Sequence, residues 1–486
     1  MMTARARLLT ALLPLLACCG GRADDVQDPG IEGTLVLARA DLHAVVGATD
    51  AGDIVVVTGD GSVLALDASA SYAPTVIGTF GGALRHDLQI EVSGGAVLVW
   101  RDRGSDGWEL DAWNRARGLG QVATGLAPPT PYNVTTATPD GQRIAFATGG
   151  NFIDGVGREL VYQGVALTAA DPKPVELARM PAGSELVRIA LAGGRAVLTR
   201  YSERALAPDA SKLGWPESQE PFEVQWYDEA WQPLRRIPHT EAVAIDDTAL
   251  RVAINGAGGE LAIESPQGSP SVAVAVDAGC RFADAFFLPG GEDLLYTCRG
   301  AAYRFHVATG ARTSLGDGIS GAYPLQCGES VCRDWVGGPG ASVVAVGGGA
   351  PLAGPATGSI VTVHGEIHGN LSPDGRFAVA PAEGGAISLV EVGHLDHRIV
   401  LDRETRGFTW LDGARFVFAS TAETNKYYED AASTVSWRDP SMTGARSERI
   451  VTRNVYSPFA RAEERALYAI AKGTDRAKGL YRFPLP

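Results

Sequence analysis

No stretch of this 486-residue chain reads as a long amphipathic helix, which argues against helical bundles and α/β layers. It has no GxSxG elbow, no HExxH pair, no Walker loop and no convincing Ser-x-x-Lys set. The common nucleophilic, zinc-peptidase and nucleotide-hydrolysing chemistries therefore find no anchor in the sequence. Positive charge is scarce: 42 Lys and Arg stand against 56 Asp and Glu, a formal net charge of −14. Such a surface repels phosphate, so nucleic acid and anionic lipid headgroups are discounted as direct partners of the folded part. The six cysteines include no tight CxxC pair, which argues against a zinc knuckle. What the chain does have is 60 glycines and repeated aliphatic alternation, the signature of strands joined by tight turns.

The segment NLSPDGRFAV, residues 370–379, shows the device most clearly. In Ser372-Pro373-Asp374-Gly375 the proline pre-sets φ, the aspartate bonds nearby backbone, and the glycine tolerates positive φ, as a four-residue turn requires. Phe377 and Val379 then alternate with Ala378 and Ala380, the period of a strand with one buried face. A near copy, TPDGQRIAFAT, occupies residues 138–148, with Ile144 and Phe146 in the buried phase. Weaker versions start at Thr49, Val92, Leu191, Ile245, Leu288, Leu325, Trp410 and Ala460, giving about ten units at intervals of roughly 38 to 54 residues.

Further strand-like runs follow each turn. Around Leu288 they read Phe282–Phe287, Asp293–Cys298, Ala301–His306 and Thr313–Leu315, a four-stranded meander. Such a sheet has two faces and cannot bury both alone, so neighbours must stack; radial stacking gives a β-propeller without exposed sheet edges. SPDGRFAV and TPDGQRIAF resemble the repeats of TolB-like and related WD-type propeller proteins, although the regular Trp-Asp ending of the latter is missing. The resemblance implies a fold and leaves activity open.

The expectation is an all-β chain whose residues 33–486 form a propeller of about 8–10 four-stranded antiparallel blades. Two stacked smaller propellers are the alternative. GTLVLAR, residues 33–39, is an orphan strand ahead of the first turn, and the last repeat has room for only three strands. The N-terminal strand is therefore expected to complete the last blade.

Residues 1–17 read as a targeting segment: Arg5 and Arg7 precede an apolar run too short to span a membrane stably. Leu15-Leu16-Ala17-Cys18 resembles the bacterial lipobox, and the resemblance implies cleavage before Cys18 and acylation of that residue. Several acyl chains anchor a protein where one does not. Residues 18–32 would then be a flexible tether, and the location would be the bacterial envelope, the outer membrane in first place. An ordinary signal peptide cut nearby is the alternative. Export permits disulfides, and the economical pairing is Cys280 with Cys298 and Cys327 with Cys332; cross-pairing is the rival.

In a propeller the second-to-third links emerge on one face. The long ones here carry Trp108, Phe152, Trp215, Tyr427 and Tyr428, aromatics of the kind enriched at recognition surfaces. They make that face the candidate binding surface, against the plainer reading of tolerated insertions that pack on themselves. His364, Glu366 and His368 would share one face of a strand and form a weak candidate metal site; Gly365 and Gly369 favour a link between blades instead. No cofactor and no catalytic residue is assigned. The function expected from these readings is a lipid-anchored, monomeric, noncatalytic scaffold for a protein, peptide or glycan. A hydrolase or lyase acting on a saccharide or lactone in the axial funnel, with or without a cation, is the alternative.

Overall fold

The computed structural model describes residues 31–81, 88–129, 135–149, 160–180, 186–192, 194–201, 222–246, 251–255, 260–268, 271–274, 285–288, 290–299, 301–317, 326–327, 331–333, 342–345, 352–353, 372, 376–381, 387–391, 394–401, 405–420, 431–440, 448–473 and 476–486. Among these the regular structure is strand throughout, apart from two single 3-10 turns at Ala68–Ala70 and Gly104–Asp106. The strands form antiparallel meanders in chain order, as expected from the turn spacing.

Blade one comprises Leu42–Ala48, Asp53–Thr58, Ser62–Asp67 and Ala73–Thr79. Six more four-stranded sheets follow over 88–126, 136–180, 186–238, 241–274, 285–317 and 326–353, as blades two to seven. For blade eight, three strands lie among the described residues, Phe377–Pro381, Ile387–Glu391 and His394–Val400. The remaining strands form one seven-stranded sheet that contains two blades. The two are joined because Glu448–Arg461 runs unbroken from one to the other. Its first half pairs with Ser433–Arg438 as the outer strand of blade nine, and its second half with Ala466–Ala471 as the inner strand of blade ten. The direction changes at Asn454 and Ser457, which adopt left-handed φ values of 53° and 47°.

Blade ten is completed from the other end of the chain. Thr34–Leu37 pairs antiparallel with Gly479–Pro484, Thr34 opposite Arg482 and Leu35 opposite Tyr481. The N-terminal strand thus supplies the missing fourth strand, as the three-strand count of the last repeat requires. Blade one then packs on blade ten through one apolar cluster, with Leu42, Val45, Ile54 and Leu66 against Tyr468, Ile470 and Leu480. Within it the buried Ser457 hydroxyl accepts from Val45 N at 2.9 Å and donates to Val45 O at 3.2 Å, across 412 residues of sequence.

The same logic runs round the ring. Buried clusters join blades one and two, two and three, three and four, four and five, five and six, eight and nine, and nine and ten. Each blade in these pairs packs on its sequence neighbour, as a sequential array requires.

The repeated turns do more than reverse the chain. In the Thr138 to Arg143 turn, Thr138 Oγ1 donates to Asp140 Oδ1 and accepts from Arg143 N, and Gly141 N–H donates to Thr138 O. Gly141 has φ +66°, and a Cβ there would stand 2.4 Å from Gly95 O in the corresponding turn of blade two. That turn is bonded in both directions, with Gly95 N on Thr138 O and Asp50 N of blade one on Gly94 O. The Asp-Gly signature is therefore also an inter-blade contact. Arginines reinforce it: Arg115 of blade two pairs with the Asp53 carboxylate of blade one at 2.6 Å, and Arg143 of blade three donates to the backbone carbonyl of Asp228 in blade four.

The third-to-fourth links add aromatic wedges. Trp231, at left-handed φ 61° and 1% exposed, projects from blade four beneath the Arg143 guanidinium, 4.5 Å from its ring centroid. It lies so close to Gly164 of blade three that a Cβ there would come within 2.4 Å of the indole. Tyr72, at φ 60°, makes the equivalent reach from blade one to Tyr468 of blade ten. Gly→Ala in a strand is ordinarily mildly favourable. Gly164→Ala is expected instead to destabilise the fold by about 1–3 kcal/mol through overpacking, read by urea denaturation; wild-type stability would show that Trp231 is not wedged there.

Candidate functional site

Strand boundaries fix where each link leaves its blade. In an antiparallel meander the second-to-third links and the links between blades lie at one end, and the other two links at the opposite end. The links after Arg143–Gly149 in blade three, Arg195–Tyr201 in blade four and Arg415–Ser420 in blade nine are all second-to-third links, so the three share one face. The segments themselves, with Phe152, Trp215, Tyr427 and Tyr428, lie outside the described residues.

Blade two differs from the sequence expectation. Its second and third strands, Ala96–Asp102 and Trp108–Asn114, take up both ends of the long link expected over residues 101–110. What remains is a tight turn closed by Arg103 N on Gly107 O and Gly104 N on Asp102 Oδ1. Trp108 is not a loop residue. It opens the third strand opposite Asp102 and Leu126, and packs half-buried against the cluster between blades two and three. Strand pairing and partial burial of its ring place Trp108 in the sheet instead of the expected loop.

Beside this turn the described part of the face carries an ion network that the sequence reading missed. Arg101 Nη2 lies 2.6 Å from both Glu109 and Asp111, whose side chains are 7% and 6% exposed. Arg103 Nε adds a 2.5 Å contact to Glu109, and Gln121 donates to the same carboxylate at 2.6 Å. Burial pushes both acids up. For Asp111 it prevails over the Arg101 charge and leaves the carboxyl above its usual range. For Glu109 the bonds from Arg103 and Gln121, with the Arg101 charge, outweigh it and hold the group below. Alternation could have found this set, since Glu109 and Asp111 stand two apart on one strand opposite Arg101 on its partner, and Arg103 follows two residues later in the turn.

Of the other candidates, His364, Glu366 and His368 lie outside the described residues. Among the described residues no group of three His, Cys, Asp or Glu is disposed to hold a metal. Cys298 is disulfide-bonded, Cys280 lies outside the described residues, and Cys327 and Cys332 face each other in register on adjacent strands. Cys18 also lies outside. On the inner strand of blade two, burial raises the Glu91 carboxyl above its usual range, with Thr135 and Trp100 beside it. Its register partner Leu98 belongs to the core between blades two and three, which places Glu91 toward that interface.

No family model and no curated protein matches the chain. Among solved structures it is similar to one described as a crystal structure of the eukaryotic initiation factor, at 10% identity over 84% of this chain and 87% of that one, with a TM-score of 0.39. It is also similar to the WD40 domain of SCAP from fission yeast, at 9% identity over 93% and 97% of the two chains, with a TM-score of 0.34. Likeness at this level carries no argument about function; the architecture rests on the sheet order itself.

The ion network makes a pH-dependent expectation. Arg101→Gln removes the cation facing two buried acids, so the folded-state pKa of Asp111, already above its usual range, rises further from its unfolded value of about 4, and Glu109 loses part of what holds it down. Such a penalty is felt above the unfolded pKa and is relieved as pH falls below it. The variant should lose about 3 kcal/mol at pH 7 and distinctly less at pH 4, by urea denaturation at the two pH values. An equal loss at both would show that the network is not charged as described.

Proposed function

We propose that this protein is an exported, lipid-anchored β-propeller of the bacterial envelope that holds a protein, peptide or glycan on its long-link face without transforming it. The observation that supports the reading is that Arg143–Gly149, Arg195–Tyr201 and Arg415–Ser420 are each the second strand of their blade and so end on the same side. Blades three and four are neighbours, and the segments that follow their second strands are the ones in question. They carry Phe152 and Trp215, large amphipathic side chains that bury contact area at low entropic cost. Tyr427 and Tyr428 come from blade nine and would meet the far side of an extended ligand.

The anchor reading fits the way the chain enters the ring. Ile31 bonds Val451 on the outer strand of blade nine, and Thr34 then starts the outermost strand of blade ten. Attachment through residues 18–32 would thus act at the outer rim and leave the long-link face unobstructed. Acylation of Cys18 supplies the membrane contact, and the acidic fold itself does not. The disulfides Cys280–Cys298 and Cys327–Cys332 belong to the same proposal as local staples suited to an oxidising compartment.

Two measurements test this reading. Trp215→Ala, and Tyr427→Ala with Tyr428→Ala, should each lower partner recovery in a pull-down from the native envelope without lowering the melting temperature; unchanged recovery in both removes the proposed face. The mass of the mature N-terminus should show an acylated Cys18, whereas an unmodified start downstream of Cys18 rejects the anchor.

A further inference from the structure

At the seam where the ring closes, on the end of the blades opposite the long links, lies an open cavity of about 410 Å³. Its walls come from three separate parts of the chain: Thr34 and Val36 of the N-terminal strand, Ala68 and Tyr72 of the third-to-fourth link of blade one, and Glu464 and Arg482 of blade ten. The volume is that of a small-ligand pocket.

The polar groups on the walls are unequally engaged. Glu464 is held by Arg461 and accepts from the buried Tyr468 hydroxyl at 2.7 Å. That bond uses the only proton of Tyr468, so at the 3.1 Å contact between the two phenols Tyr72 is the donor. Tyr72 Oη and the remaining lone pairs of Glu464 are left as acceptors. Arg482 is different: half-buried opposite Thr34 and Tyr468 in register, it makes no ion pair or hydrogen bond among the described residues. A guanidinium in that position offers a planar fork that matches a carboxylate.

We propose that the seam cavity binds a small hydroxylated carboxylate of the uronic acid class. Its carboxylate lies on Arg482, its hydroxyls donate to Tyr72 and Glu464 and bond Thr34, and its apolar face rests on Val36 and Ala68. An uncharged sugar leaves Arg482 unmatched, and a bare carboxylate leaves the acceptor wall unmatched. Because the ligand touches both chain ends and blade one at once, its binding free energy is added to ring closure, and the folded state gains stability by mass action. This site is separate from the long-link face, so either can fail alone.

Titration calorimetry and thermal melting of the full-length protein with glucuronate, glucose and acetate test the proposal. Glucuronate should bind and raise the melting temperature, glucose and acetate should bind at least about tenfold more weakly, and Arg482→Gln should weaken glucuronate by at least about tenfold. Ala68→Trp, which fills the cavity from a link, should abolish binding and decides the matter if Arg482→Gln does not fold. No binding of glucuronate to the wild type, equal binding of glucose, or undiminished binding to either folded variant would overturn it.

Discussion

A four-stranded meander has two apolar faces and no means of covering both. That constraint organises the whole molecule. Each described interface buries one face of one blade on the opposite face of the next, and the cost of the arrangement is that the first and last blades must find each other. They do so through Val45, Ile54 and Leu66 on one side and Tyr468, Ile470 and Leu480 on the other, fastened by the Ser457 hydroxyl on both backbone polar groups of Val45. Building blade ten from both chain ends makes closure a strand-pairing event as well as a packing event. Bringing distant ends together costs loop entropy that grows only logarithmically with length, so the pairing need not be long to succeed.

The turns and wedges are consequences of the same need. Blades splay outward from an axis, and contact between them is tightest where turns meet turns. This is why glycine and aspartate recur at the first-to-second links: the backbone needs positive φ, and the neighbouring turn leaves no room for a Cβ at Gly141. Where the gap widens, Trp231 and Tyr72 reach across it, each in a left-handed conformation that a bulky residue adopts at a cost. The surrounding contacts, Arg143 over the Trp231 ring and Tyr468 against Tyr72, are what hold them there.

Much of the fold was legible because its determinants are local. Pro139-Asp140-Gly141 announces its turn, and the alternation after it announces the buried strand Arg143–Gly149; Asp293–Cys298 and Ala301–His306 have the boundaries read from sequence alone. The orphan strand at the N-terminus was legible by arithmetic, one strand too many at the start and one too few at the end. What was not legible depends on residues far apart in sequence. Nothing local says that Glu448–Arg461 serves two blades, that Trp231 leaves its own link for the neighbouring blade, or that Trp108 continues a strand. The Arg101 network stood between, visible in the spacing of its members and overlooked because its loop was expected to be long. For the candidate face, the strand boundaries of blades three, four and nine make the following links second-to-third links, whereas blade two has only a tight turn there; the chemistry of the aromatics rests on the residues themselves.

The central claim is that closure by the N-terminal strand holds the first and last blades together. Amide hydrogen exchange on the protein with and without residues 31–38 tests it most directly. The account expects the shortened chain to lose protection in Gly479–Pro484 and Ala466–Ala471, and also across the seam in Leu42–Ala48, while blades three and four keep theirs or the whole ring unfolds. Unchanged protection on both sides of the seam would contradict it.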